Sequence, residues 1–364
     1  MSKTRIGVIF GGKSGEHEVS LVSARSIMDA IDKEKYEVVP IGIMRDGRWI
    51  TQDDPLALLS AAAQQSLSLS GEEPELPASV RRELLDGFGM LGAGVPAVDV
   101  VFPVVHGPYG EDGTLQGLLE MAGIPYVGGG VAASAVGMDK VLMKDVFRQH
   151  GLPVVDSMPL LRRTWQADPT GVEDEIERRI GFPCFVKPAN LGSSVGISKV
   201  VDRAGLGSAI RSAAVYDRKL IIEHGVTARE IECSVLGNDE PQASLPGEIV
   251  PAAEFYDYAA KYADDRTRLI IPAQLSPEVV DEVRRLAVET FKSIDCAGMA
   301  RVDFLLSIDD GRLYVSEINT IPGFTSVSMY AKLWEASGLS YPDLIDRLIG
   351  LAFERFSEKM ALNG

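Results

Sequence analysis

The sequence predicts an α/β protein whose C-terminal half turns to an α+β arrangement. Two observations lead there. In the first third, short apolar runs alternate with segments of helical periodicity, the pattern of a parallel sheet carrying helices on its faces. Further on, residues 230–236 and 247–255 and the stretch 301–319 place strand-like runs directly after one another, which calls for antiparallel pairing. At 364 residues the chain exceeds what one ordinary core fills, so two or three domains are expected.

Taken in order, residues 5–10 read as a buried strand ending at Gly11-Gly12, and residues 18–31 carry helical periodicity. Strands follow at 37–44 and 98–105, then a loop at 106–113 and a helix from Thr114. Ligands of such a sheet gather at the carboxyl ends of its strands. The stretch 60–77, rich in Ala, Gln, Ser and Glu, reads as an exposed excursion without chemistry. A first domain is expected at 1–133, a central one at 134–222 and a last one at 223–364. The central part starts with a helix at 134–150 and has strands at 152–160, 182–187, 197–201 and 219–223, with a Gly/Ser loop at 190–196. Helices at 277–294 and 341–359 belong to the last part. There is no internal repeat.

Composition narrows the class. With 46% hydrophobic and 24% charged residues the chain reads as a soluble globular protein. Its formal charge of −16 argues against nucleic acid or an anionic membrane surface as partner, though not against an anionic small ligand in a locally basic pocket. Cys184, Cys233 and Cys296 lie in apolar or small-residue contexts without metal spacing, as reduced core thiols of a cytoplasmic protein do. The N-terminal residues run straight into a strand without a signal-peptide pattern. No apolar run approaches the roughly 20 residues that span a bilayer.

Residues 301–325 are the most informative. They form two alternating strands joined at Asp309-Asp310-Gly311. Side chains two apart share a face, so Arg301 goes with Asp303 and Glu317 with Asn319. A three-residue loop with Gly311 left-handed sets Asp303 opposite Glu317 and Arg301 opposite Asn319. A two-residue loop slips the pairing by one and separates them. In the first register, three oxygen ligands meet a guanidinium on one surface, a set that suits Mg²⁺; a plain surface hairpin is the alternative. The Pro-Gly turn that follows exposes backbone N–H groups beside these ligands.

At the N-terminus, Gly7 to Ser14 matches G-x-x-x-x-G-K-[ST]. A P-loop needs its strand before the first glycine, whereas here Val8, Ile9 and Phe10 are themselves the strand. Glu16, at a strand's carboxyl end, suits a substrate ammonium or else caps a helix together with Glu18; Ser20 lies beside it. Lys187-Pro-Ala-Asn-Leu-Gly192-Ser193-Ser194-Val195-Gly196, between two apolar strands, suits phosphate: glycines let the backbone close, hydroxyls and N–H groups donate, and Lys187 supplies a cation. A lysine ending a buried strand needs an anionic partner. Lys140, in Met138-Asp139-Lys140, is a second cation. Glu223 ends an apolar strand whose edge could read an adenine, and Glu230, a few residues on, could hold a ribose; both roles rest on the neighbouring motifs and not on these residues alone.

In sequence order, G-G-K-S-G-E-H-E-V-S, H-G-P-Y-G-E-D-G-T-L-Q-G, M-D-K, K-P-A-N-L-G-S-S-V-G, F-Y-D-Y-A-A-K-Y, R-V-D-F and E-I-N-T-I-P-G-F-T cover nearly the whole chain. In this order they resemble the ATP-grasp superfamily and, more narrowly, the D-alanine–D-alanine ligase family. The resemblance implies an ATP-grasp fold preceded by a Rossmann-like parallel-sheet domain. It implies ATP-dependent joining of two D-alanines through an acyl phosphate, for peptidoglycan. Lys140, Lys187, Ser193 and Ser194 would then hold ATP phosphates, and Glu223, Val226 and Glu230 adenine and ribose. Asp303, Glu317 and Asn319 would ligate two Mg²⁺, with Mn²⁺ as a substitute and K⁺ as a further candidate ion. Glu16 would take the first substrate's ammonium, within a hydrogen-bonded set that includes Ser193 and Tyr262. Arg301 and the Gly323 N–H would form the oxyanion site, and Ser328 would bind the second substrate's carboxylate. His106 would sit near the second substrate or brace its loop. The family's mobile loop corresponds to residues 257–271, with Lys261 reaching the γ-phosphate. Tyr262 in Y-x-x-K-Y favours D-alanine over D-lactate as acceptor. A homodimer through the first domain is expected.

Overall fold

Three sheets carry the fold in the computed structural model of the chain, which describes residues 3–51, 54–68, 97–250 and 268–361. The first contains β1 (Thr4–Gly11), β2 (Tyr36–Ile43), β3 (Trp49–Ile50) and β4 (Val100–Pro103) in the order β3-β2-β1-β4. β1 runs parallel to both β2 and β4, as the alternating pattern requires. Helices α1 (His17–Ala30), α2 (Pro55–Ser68) and α3 (Thr114–Ala122) accompany it. The stretch expected as an excursion from residue 60 is therefore helical up to residue 68, with Leu59 buried beneath it; its remainder lies outside the described residues.

Two helices come next, α4 (Val131–Met138) and α5 (Lys140–Gln149). A single helix was the expectation for 134–150. The chain breaks at Asp139, whose carboxylate accepts from the N–H groups of Val141 and Leu142 and so caps α5. The second sheet is wholly antiparallel. It contains β5 (Ser157–Leu161), β6 (Cys184–Pro188), β7 (Ser198–Val200) and β8 (Lys219–His224), in the order β5-β8-β6-β7. Helices α6 (Arg162–Ala167), α7 (Pro169–Arg179) and α8 (Arg203–Ala213) flank it. These were not expected from the sequence, although Asp168 and Asp202 cap the last two.

The third sheet holds β9 (Ala228–Gly237), β10 (Gln242–Ala243), β11 (Gly247–Val250), β12 (Arg268–Ile270), β13 (Gly298–Ser307) and β14 (Leu313–Asn319). Its order is β12-β11-β9-β13-β14, with β10 beside β9. One face, with Ile231, Cys233, Val235, Ala300, Val302 and Phe304, forms a core with α5 and with α9 (Pro277–Ser293). The other face, by alternation, is the polar one. The chain ends in α10 (Met329–Ala336) and α11 (Tyr341–Ala361), which pack on the first sheet. Among the described residues no helix is long and apolar enough to cross a membrane.

The β13–β14 hairpin departs from its simplest form. Asp303 does face Glu317, and Arg301 faces Asn319. Toward the tip, however, Phe304, Leu305 and Leu306 pair with Val315, Tyr314 and Leu313, a register shifted by one. Residues 308–311 form the tip between Ser307 and Arg312, with Gly311 left-handed at φ 69°. Ser316 is an extra residue on β14, a β-bulge that restores the pairing of the polar residues. A three-residue loop is thus not what aligns them. The bulge lets Val315 and Ile318, three apart, both face the core.

Candidate active site

Glu16 sits where β1 ends. Ser20 holds that end in place: its hydroxyl donates to the Val104 carbonyl at 2.5 Å and accepts from Gly11 N–H at 2.7 Å, joining β1 to the segment after β4. Glu16 is the N-cap of α1, but its side chain makes no capping bond, while Glu18 stands in the first turn. Glu18 is engaged by Arg45 at 2.5 Å, which draws its pKa below the usual carboxylate range against the opposing effect of burial. The Glu16 carboxylate instead accepts from the Ser193 hydroxyl, 177 positions away in the 190–196 loop. It lies between two glycines. A Cβ on Gly107 or Gly192 would come within 3.0 and 3.1 Å of its Oε2. Ser193 and Ser194 are both left-handed, at φ 51° and 57°, a conformation costing roughly 1–2 kcal/mol per residue without glycine. Strain of this kind concentrates where side chains must be aimed.

Across the cleft is the polar face of the third sheet. Arg301 donates from Nε and Nη2 to both oxygens of Asp303, at 2.7 Å each. Its Nε also lies 3.0 Å from Glu232. Burial would lower the guanidinium's pKa, but the Asp303 and Glu232 carboxylates outweigh it and push the pKa up. Asn319 donates to Asp303 at 3.0 Å. Lys140, at the start of α5, reaches Glu317 at 3.4 Å and donates to the Leu191 carbonyl at 3.0 Å, linking the hairpin to the Gly/Ser loop.

Lys187 ends β6 and finds its anionic partner in Glu223, at 2.6 Å. The other Glu223 oxygen is 3.3 Å from Lys144, a residue only 1% exposed. Burial alone would raise the Glu223 pKa, yet the two lysines bring it down to about 2. Burial alone would lower Lys187, but Glu223 more than compensates and the net direction is up. For Lys144 burial prevails and the direction is down. Glu230, on β9, contributes to the field at Lys187, and Val226 lies in the β8–β9 connection.

His106 is buried and bridges three segments: its ring nitrogens lie 3.0 Å from the Ile321 carbonyl and 3.3 Å from Ser23 Oγ, while its carbonyl accepts from Ser14. Glu111 accepts from Gly107 N–H at 2.7 Å and Ile321 N–H at 3.1 Å. Burial and the nearby Glu16 charge raise its pKa to about 8 against those two bonds and Arg301. Ser328 accepts from Thr325 N–H at 3.1 Å, beside Gly323. Tyr262 and Lys261 lie outside the described residues, as does most of the 257–271 segment.

Glu16, His106, Lys140, Ser193, Ser194, Arg301, Glu317, Asn319, Gly323 and Ser328 thus line a single cleft of about 810 Å³. Glu111, Glu232 and Lys144 were not singled out beforehand. Glu232 had a signal, because it is two residues from Glu230 and so shares its face. Lys144 had one too, lying one turn after Lys140. The donor set fits a hard divalent cation: two carboxylates and an amide on adjacent strands, with lone pairs to spare beyond their present bonds.

Residues 5–129 match the family described as "D-ala D-ala ligase N-terminus", and residues 146–350 match "D-ala D-ala ligase C-terminus". A D-alanine--D-alanine ligase of Heliobacterium modesticaldum is 51% identical over 365 residues, covering 99% of this chain and 97% of the relative. Among solved structures, the D-alanine-D-alanine ligase from Coxiella burnetii has a TM-score of 0.82 at 39% identity, covering 100% of this chain and 97% of that one. The VanG D-Ala:D-Ser ligase from Enterococcus faecalis has a TM-score of 0.78 at 34% identity, covering 96% and 100%.

Proposed function

The chain belongs to the D-alanine–D-alanine ligase family and has its ATP-grasp fold, and from that premise we propose that it joins two D-alanines to D-alanyl-D-alanine for peptidoglycan synthesis. ATP phosphorylates the carboxylate of the first D-alanine, and ADP is released. The amine of the second attacks the acyl phosphate, passes through a tetrahedral oxyanion and expels phosphate. The observation that carries this reading is the cleft itself, where Glu16, bonded to Ser193, confronts the Arg301, Glu317 and Asn319 surface.

In it, Glu16 holds the first ammonium and is itself oriented by Ser193, with Tyr262 completing the set. Lys140, Lys187, Ser193, Ser194 and Lys261 hold the phosphates, while Glu223, Val226 and Glu230 receive adenine and ribose. Arg301 and the Gly323 N–H stabilise the oxyanion, work that depends on donors held in place before the charge develops. Ser328 holds the second carboxylate, with His106 bracing the loop between them. Asp303, Glu317 and Asn319 are the residues that would hold Mg²⁺, two ions in this reading, whose chemistry there is to neutralise charge on the phosphates. Mn²⁺ is a substitute and K⁺ a candidate further ion. The remaining elements of the reading are the domains 1–133, 134–222 and 223–364, a cytoplasmic location and a homodimer through the first of these domains.

The test is ADP release with Mg²⁺ and ATP, comparing D-alanine, L-alanine, D-lactate and D-serine, with products weighed by mass spectrometry. Release that depends on D-alanine and yields D-alanyl-D-alanine is the expected result. A mixed product with D-serine or D-lactate would move the acceptor assignment away from D-alanine.

A further inference from the structure

The bulge at Ser316 leaves a backbone carbonyl outside the β13–β14 ladder, where a carbonyl without a partner would be costly. Its partner is a charge. Lys144 Nζ donates to Ser316 O at 3.1 Å, and the same ammonium lies 3.3 Å from Glu223 Oε1. The lysine is only 1% exposed, and such a residue persists in a core only when its donors are satisfied. It comes from α5 with Val141, Met143 and Phe147 buried on the same helix. One turn earlier, Lys140 reaches Glu317. A single helix face therefore grips two consecutive residues of β14, one by its backbone and one by its side chain.

That grip falls where register matters. Were Ser316 paired within a regular ladder, Glu317 would share a face with Val315 and point into the core; with Ser316 bulged out, Glu317 and Asn319 stand opposite Asp303 and Arg301. We propose that Lys144 is a positioning residue for the reaction, whose ammonium holds the Ser316 bulge, and so the orientation of Glu317 and Asn319, while fixing Glu223 at the end of β8. The metal-ligand set and the nucleotide edge are thereby tied to one cation that touches neither ligand. The inference rests on the reading of Asp303, Glu317 and Asn319 as metal ligands and of Glu223 as a nucleotide contact.

The experiment compares wild type, Lys144→Met and Glu223→Gln at a temperature well below their melting points. Mn²⁺ binding is followed by electron paramagnetic resonance at saturating ADP, ADP binding by calorimetry, and fold by circular dichroism. Lys144→Met is expected to weaken Mn²⁺ at least tenfold and ADP at least fivefold with the spectrum preserved. Glu223→Gln leaves the bond to Ser316 O in place, so it is expected to weaken ADP while keeping Mn²⁺ within threefold. Should Lys144→Met not fold, Lys144→Gln replaces it under the same expectation. A lysine that only stabilised the fold would lower the melting temperature and leave both dissociation constants unchanged. That result would overturn the proposal while leaving the assignment of the sites intact. Wild type binding neither Mn²⁺ nor ADP would overturn that assignment, and the proposal with it.

Discussion

Glu111 shows how much a single carboxyl can be asked to do. Both of its oxygens accept backbone N–H groups, one from each of the loops that follow β4 and β14. Burial and Glu16 nevertheless raise its pKa from 4.5 to about 8. The folded chain then keeps a proton that the unfolded chain has released. Its contribution to stability is accordingly greatest below pH 4.5 and declines as pH rises toward 8. Glu111→Gln cannot titrate and should lose that decline, while sacrificing one N–H bond at a cost of about 1–2 kcal/mol. Urea midpoints at pH 5.5 and 8.5 measure this; an identical drop in variant and wild type would remove Glu111 as its source. The sequence displayed this residue within H-G-P-Y-G-E-D-G but gave no sign of its carboxyl's neighbours. Gly107 lies in the same motif, but Glu16 and Ile321 do not, and only the assembled fold brings them to it.

Among the elements, the hairpin of β13 and β14 was legible in its outcome and not in its means. Alternation alone paired Arg301 with Asp303 and Glu317 with Asn319, and the observed cross-strand partners agree. The turn length did not produce that pairing; the bulge did. Its mark lies in the spacing of Leu313, Val315 and Ile318, where the apolar period changes from two to three. The same limit appears in the 134–150 segment, where a continuous helical period conceals the break that the Asp139 cap imposes. Periodicity reports which face a residue occupies, whereas caps and bulges depend on hydrogen bonds that sequence spacing reports poorly. Deleting Ser316 tests the assignment at this scale. With the ladder in a single register, Glu317 would follow Val315 directly, and Glu317 and Asn319 would still face Asp303 and Arg301, so ADP release should stay within about tenfold of wild type, about 1.4 kcal/mol in the barrier. A thousandfold loss would mean that the ligand face needs the bulged backbone itself and not only the register it sets.

At the scale of the whole molecule, the parallel pairing of β1 with β2 and β4 and the antiparallel third sheet follow from the order of apolar runs. The source of the first sheet's covering does not. Its core takes Phe324 from the loop after β14, Tyr330, Ala331 and Trp334 from α10, and Leu344, Ile345, Leu348 and Ile349 from α11. Phe324 packs edge-on against Phe102 and at a tilt against Tyr330 and Tyr341, with ring centroids 5.4 to 5.7 Å apart. A helix this amphipathic reveals that it has a buried face but not what it will bury against, since contacts over more than 200 positions leave no local trace. The arrangement has a mechanical consequence. The Gly323 and Ser328 segment is carried on the same core as the end of β1, where Glu16 sits. Loss of packing under α11 should therefore disturb both sides of the cleft together. Leu348 is fully buried, and Leu348→Ala should cost about 2–5 kcal/mol through lost burial and the cavity left behind. Chemical unfolding followed by far-ultraviolet circular dichroism and by ADP release should then show both midpoints falling together. If activity held to the wild-type midpoint while the helical signal was lost earlier, α11 would be an appendage and the shared core would not govern the site.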